Sequence, residues 1–228
     1  MVLKLSFTIV LIATLALFTS YTPQAEAHSW ADCIDWKGAN GRNDFKNGKC
    51  NGYARRFPTS KKYSFGSLDS ASPNRHYEQD HDNPNSALPC SDGKHGEETG
   101  ANETRAKNIK DAYDPKKGYG KMTVARAGQT LCVRWPAKNH SKEYKVPNVQ
   151  IHMARVPNRS DISQRELIRN TIANLPYGNC NSGSSDRRPC GGCFKVPTNR
   201  KPGVYLLQWR WMLNKNEWYT SCADVQIR

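Results

Sequence analysis

The chain has 228 residues, of which 37% are hydrophobic, and it carries 34 Lys and Arg against 20 Asp and Glu, a formal net charge of +14. That length suits a single domain with a substantial core. No apolar run of membrane-spanning length follows the N-terminal leader, and there is no zinc-finger spacing, RNA-binding motif or basic helix, which argues against a membrane protein and against nucleic acid as partner.

The leader comes first. Lys4 precedes an apolar run over 5–18, shorter than the roughly 20 residues that cross a bilayer. Ala25-Glu26-Ala27 supplies the small-x-small pattern read by signal peptidase. We expect a signal peptide over 1–27, a secreted single domain over 28–228, and a monomer. Lys4 and Glu26 cancel, so the mature chain keeps the whole positive charge. Such a chain attracts polyanions through its entire field. Outside the cell these are acidic polysaccharides and anionic lipid surfaces.

Cleavage after Ala27 makes His28 the first residue. It then offers two metal ligands at once, the α-amine and a ring nitrogen. The amine's reference pKa of about 8 lets copper displace its proton near neutrality. A second histidine would complete a nitrogen-rich, near-planar set that suits copper, the metal at the top of the divalent affinity order.

From 31 to 119 the chain is rich in Gly, Asn, Asp, Ser and Pro, and reads as long loops with short strands. The eight cysteines, Cys33, Cys50, Cys90, Cys132, Cys180, Cys190, Cys193 and Cys222, imply about four disulfides in a secreted protein. Spacing leaves on the order of a hundred pairings open. Cys190-Gly-Gly-Cys193 is expected to serve structural disulfides rather than zinc or redox chemistry. His76, Glu78, Asp80, His81 and Asp82 resemble a metal cluster, but a loop of this composition is ordinarily just solvated. His95 reads as loop surface. Sequons stand at Asn102, Asn139 and Asn158.

The second half is more regular. Strands are expected over 122–127 and 130–135 around Gly128, with Leu131, Val133 and Trp135 on a buried face. Val149, Ile151 and Met153 alternate with Gln150, His152 and Ala154 in the same way. Ser163-Gln-Arg-Glu166 fits a capping box, predicting a helix to about Asn174, before Pro176. Strands over 203–213 and 218–227 close the chain. The fold class is mainly β, an immunoglobulin-like or fibronectin-like β-sandwich with long disulfide-tied loops and a short helix.

Two segments join His28 in one pattern: AGQTLCVRWPAKNH, 127–140, followed by VQIHMA, and NEWYTSCADVQI, 216–227. With His28 they resemble the lytic polysaccharide monooxygenases. In the fungal cellulose-active members a strand enters a Trp-Pro turn that ends in the second copper histidine, and the chain closes on a Gln-x-Tyr-x-x-Cys-Ala strand. Glu217, Tyr219, Cys222 and Ala223 match that strand. The length, the basic charge and the HSWADC start look most like the oomycete pectin-active branch, auxiliary activity family 17. The close match covers about forty residues of the chain.

The resemblance implies one copper ion cycling between Cu(I) and Cu(II), held by His28 and His140 with Tyr219 axial. Glu217 stands where relatives carry Gln or Glu to hold the oxygen species. An external reductant and O2 or H2O2 complete the reaction, oxidation of a C–H beside a glycosidic bond. Strand period independently puts Glu217 and Tyr219 on one side, with Trp218 and Thr220 on the other. His152 is the other candidate for the second ligand, though an ordinary sheet-face histidine fits it better. A glycan on Asn139 would crowd the site, so that sequon is expected to be unused or trimmed. Where the cellulose-active pattern continues His-x-Gly-Pro, this chain reads His140-Ser-Lys-Glu143, and Glu replaces the commoner Gln. Both departures point away from cellulose. The charge agrees with the pectin branch, because homogalacturonan carries carboxylates and cellulose does not. Lys138, Lys142 and Lys145 bracket His140 and are candidates to bind it.

Two other classes compete: a secreted copper-binding protein without turnover, and a non-catalytic protein binding acidic glycans or membranes. A hydrolase or lyase is disfavoured, since no convincing carboxylate pair or calcium site is present.

Overall fold

The structure is a computed structural model that describes residues 29–59, 77–91, 103, 108–137, 149–157, 161–181 and 188–228. The leader, His28, His76, His95, Lys138, His140, Lys142, Lys145 and all three sequon asparagines lie outside the described residues.

The fold is mainly β. In chain order the strands are β1 (Trp36–Gly38), β2 (Gly48–Cys50), β3 (Tyr77–Gln79), β4 (Thr123–Ala125), β5 (Thr130–Pro136), β6 (Val149–Met153), β7 (Thr171–Leu175), β8 (Pro189–Lys195), β9 (Gly203–Met212) and β10 (Trp218–Ile227). The main sheet runs β3-β10-β9-β6-β7. β4 joins its β10 edge in parallel at Val225–Ile227, beyond the stretch that β3 covers at Trp218–Thr220. β5 and β8 form an antiparallel ribbon, and β1 pairs with β2.

Alternation explains the layering. Tyr205, Leu207, Trp209 and Trp211 of β9 share one face with Tyr219, Ala223, Val225 and Ile227 of β10. They pack with Ile151 and Met153 of β6 against Leu131, Val133 and Trp135 of β5 and Phe194 of β8, forming the core of a sandwich. Gly128, with φ +79°, turns the chain from β4 in one layer to β5 in the other, so the two strands around it do not pair with each other.

The second face of the main sheet is also covered, largely by polar groups. Gln208 Nε2 donates to Gln164 Oε1 at 2.6 Å and to Pro89 O at 2.8 Å. Arg210 Nε donates to Gln79 Oε1 at 2.9 Å. Arg55, fully buried, donates to both Asp224 carboxylate oxygens, at 2.8 and 3.0 Å, and to Asp161 at 2.8 and 2.9 Å. These bonds satisfy groups whose burial would otherwise be costly.

The disulfides are Cys33–Cys50, Cys90–Cys222, Cys132–Cys193 and Cys180–Cys190. The two cysteines of the Cys-x-x-Cys motif thus serve separate structural bridges, as expected. Four disulfides are typical of proteins made for an oxidising compartment.

The predicted helix over 163–174 is corrected. Ser163 Oγ accepts from Glu166 N at 3.2 Å, but the helix (α2, Gln164–Ile168) stops early. Asn170 Nδ2 caps the carbonyl of Glu166 at 2.8 Å, and the β-branched Thr171 and Ile172 start edge strand β7. The helical content is also broader than one segment: α1 (Ile109–Ala112) and a 3-10 turn at Pro115–Lys117 lie in the loop-rich half. No helix among the described residues is long and apolar enough to cross a membrane.

Candidate functional site

β9 and β10 are joined by a tight hairpin. Leu213 N donates to Glu217 O at 3.0 Å, Glu217 N donates to Asn214 O at 3.1 Å, and Asn216 takes a left-handed φ of 66°, a conformation asparagine tolerates. This sets Glu217 two residues before Tyr219, on the same face. The Tyr219 hydroxyl donates to Glu217 Oε1 at 3.0 Å, while Asn214 Nδ2 donates to Glu217 Oε2 at 2.5 Å. Tyr219 is 2% exposed and Glu217 half-buried, so the pair sits where the core meets the surface. Trp218 faces the other way, its ring 3.9 Å from the Arg210 guanidinium carbon.

A second carboxylate approaches the same hydroxyl. Glu78, on β3 opposite Tyr219 in register, places Oε2 3.5 Å from the Tyr219 oxygen, and its Oε1 is 2.5 Å from His81 Nε2. Glu78 is buried at 5% exposure. The loop reading of the 76–82 cluster therefore holds only in part. Asp80 Oδ1 accepts from the Asp82 and Asn83 amides in a turn, whereas Glu78 and His81 extend the Tyr219 site. Reading by sequence missed Glu78 because its partner lies 141 positions away.

The segment after His28 is pinned to this end of the sandwich. Ser29 is fully buried and its Oγ donates to Pro136 O at 3.1 Å. Ala31 N donates to Ser221 Oγ at 3.1 Å, one turn of the pleat from Tyr219. Asp32 accepts from Arg134, and Asp32 N donates to Arg134 O at 3.1 Å. The Tyr177 hydroxyl donates to Ala137 O at 2.8 Å. The Tyr177 ring stacks on Trp211 at 3.9 Å, and Trp211 lies 5.7 Å from the Tyr219 ring. Trp135 and Pro136, expected in a turn, are the last residues of β5, and an aromatic run links this strand end to Tyr219. Ser29, next in sequence to His28, and Tyr177 both bond to the Pro136–Ala137 stretch, which directly precedes the segment that carries His140.

His152 lies elsewhere. It pairs with Gln208 in register, on the sheet face away from Tyr219, and is fully buried. Thr171 Oγ1 donates to Ile168 O at 3.0 Å and sits 3.0 Å from His152 Nδ1. The imidazole therefore donates from Nδ1, and its Nε2 has no hydrogen-bond partner. Burial, aided by the Arg210 charge, lowers its pKa from 6.5 to about 3, so the ring is neutral.

Among the described residues no group of three His, Cys, Asp or Glu is placed to hold a metal. The copper set implied by the resemblance takes only Tyr219 from them. The test of fit is therefore the surroundings of Tyr219. A buried phenol held by carboxylate acceptors, beside the anchors of both histidine-bearing segments, is compatible with a nitrogen-bound copper having an oxygen donor alongside.

No family model matches the chain, and no curated protein matches it. Among solved structures there is a weak likeness in fold to LPMO10B from Micromonospora aurantiaca, with 11% identity and a TM-score of 0.32, covering 54% of this chain. The matched region spans 62% of the length of that protein.

Proposed function

We propose that the chain is a secreted copper-dependent polysaccharide monooxygenase, with a signal peptide over 1–27 and a mature monomeric domain over 28–228, that cleaves an acidic polysaccharide, homogalacturonan. The observation that carries this reading is the hydrogen-bonded Tyr219–Glu217 pair at the end of the sandwich where Ser29 and Pro136 meet. The family resemblance gives those residues their meaning, and the net charge of +14 supports the acidic substrate.

In this reading His28, through its amine and ring, and His140 hold the copper, and Tyr219 stands beside it. The metal, renewed by an external reductant, supplies one-electron chemistry with O2 or H2O2. The chain's own residues do the rest. Tyr219, fixed by Glu217 and by the Trp211 ring, closes one side of the site to water and substrate. Both oxygens of Glu217 already accept one bond, and each has a lone pair left to orient an incoming group or hold a proton at the site's edge. Lys138, Lys142 and Lys145 would meet substrate carboxylates.

The test uses mature protein with a verified His28 terminus, copper, ascorbate and polygalacturonate, with products read by mass spectrometry. Oxidised oligogalacturonides that vanish without copper and in His140→Ala support the proposal. Absence of oxidised product from polygalacturonate, cellulose, chitin and xylan, despite tight copper binding, would replace it with a copper-binding protein without turnover. Glycan binding that ignores copper, with no oxidation, would replace it with a non-catalytic binder.

A further inference from the structure

The end of the sandwich opposite Tyr219 is densely basic. β9 starts there at Gly203 and β10 finishes there at Ile227, which pairs with both Gly203 and Ala125. The turn after β4 lies against the segment after β8: Gly128 N donates to Val196 O at 3.0 Å, and Val196 N donates to Gln129 O at 2.9 Å. Pro157, beyond β6, closes over Gly203 so tightly that a β-carbon there would lie 2.7 Å from it. Arg126, Arg155, Lys195, Arg200 and Lys201 therefore share one end. All but the half-buried Arg200 are exposed.

The stretches that build this end, 125–130, 153–157 and 195–203, contain no Asp or Glu. Four cations elsewhere are paired with carboxylates: Arg55 with Asp224 and Asp161, Arg134 with Asp32, Lys37 with Asp35, Lys117 with Asp111. Among the described residues none of the five has such a partner. Burial is the main cause that depresses the Arg200 pKa, and repulsion from the neighbouring Arg155 charge adds a smaller part. Repulsion of this kind is relieved when a polyanion supplies the missing counter-charge.

We propose that this end is a docking surface for an acidic polysaccharide, with uronate carboxylates along one chain pairing with Arg126, Arg155, Lys195, Arg200 and Lys201. Guanidinium forks match planar carboxylates, and cations spread over three segments suit a repeating anion. An anionic membrane fits less well, since the stretches offer one large exposed hydrophobic side chain, Val156, and no amphipathic helix. A nucleic-acid strand would want an open aromatic platform, and the Tyr205 ring is buried beneath Arg200. β9 and β10 are ten residues each, so the surface lies about 30 Å from the Tyr219 end. A chain held there leaves that end free for another chain.

The test needs no copper and no turnover, so its outcome is separate from that of the catalytic proposal. Metal-free protein is titrated calorimetrically with polygalacturonate at low salt. One variant combines Arg126→Gln, Arg155→Gln and Lys195→Gln. The control combines Lys46→Gln, Lys110→Gln and Lys116→Gln, the same charge change at exposed positions elsewhere. The expected result is binding about tenfold weaker in the first and within about twofold of the parent in the second, with both melting like the parent. Equal weakening in both would overturn the proposal and leave net charge alone. So would unchanged binding in the first variant, or, in a parallel titration with phosphatidylserine vesicles, a loss confined to the vesicles.

Discussion

At the residue scale, the candidate site depends on one hydroxyl. Tyr219→Phe removes the donor to Glu217 and leaves two carboxylates facing a buried edge, which should cost about 1–2 kcal/mol in chemical denaturation. In copper-loaded protein it should also alter the Cu(II) electron paramagnetic resonance spectrum, and an unchanged spectrum would remove Tyr219 from the metal's surroundings. His152 gives a separate prediction. Its folded pKa of about 3 lies below the ordinary 6.5. Above 6.5 both folded and unfolded chains are neutral there, and the stability it supports is complete. As pH falls from 6.5 to about 3 the unfolded chain takes the proton first, so stability declines through that window, by on the order of 4 kcal/mol. His152→Asn, which keeps a donor toward Thr171, should flatten that part of the melting curve against pH. Tyr219 and Glu217 were singled out by the family resemblance, and their shared side was legible in the sequence because strand period is local. Glu78 was not, because the register of β3 on β10 is set by distant turns.

At the element scale, β10 is the strand on which the rest is hung. β9 flanks it throughout, β3 and β4 share its other edge, and Cys222 and Asp224 tie its second face to Cys90 and Arg55. Its disulfide closes 132 residues of chain, against 10 for Cys180–Cys190. Loop-closure entropy then predicts a loss of roughly 5 kcal/mol for the Cys90→Ser, Cys222→Ser pair and roughly 3 for Cys180→Ser, Cys190→Ser. Denaturant midpoints check the ranking, and a reversed order would place the strain of removal in local packing instead. The strands expected at 130–135 and around Val149–Met153 were readable from alternation, and those expected over 203–213 and 218–227 match β9 and β10 closely. The helix after Ser163 ran too long in the sequence reading because its N-cap is present, Ser163 Oγ accepting from Glu166 N, while the pairing of Thr171–Leu175 with β6, which ends it, is a tertiary choice. The disulfide pairing and the polar layer of Gln79, Gln164, Gln208 and Arg210 join segments far apart in sequence, and no local pattern announces them.

At the scale of the molecule, the sandwich has two unlike ends. One gathers Tyr219, Glu217, Glu78 and the anchors of the His28 and His140 segments. The other gathers five cations with no carboxylate partner among the described residues. Charge totals were visible in the composition, but their division between ends required the topology. The most direct measurement of the central claim is a Cu(II) titration, followed by electron paramagnetic resonance, of protein beginning at His28 and of the same protein with one glycine placed before it. The account predicts one tight, nitrogen-coordinated copper per chain in the first and binding at least roughly tenfold weaker in the second, since the added residue takes the α-amine away from the ring. Equal affinity and identical spectra in the two would contradict a copper site built on the His28 amine.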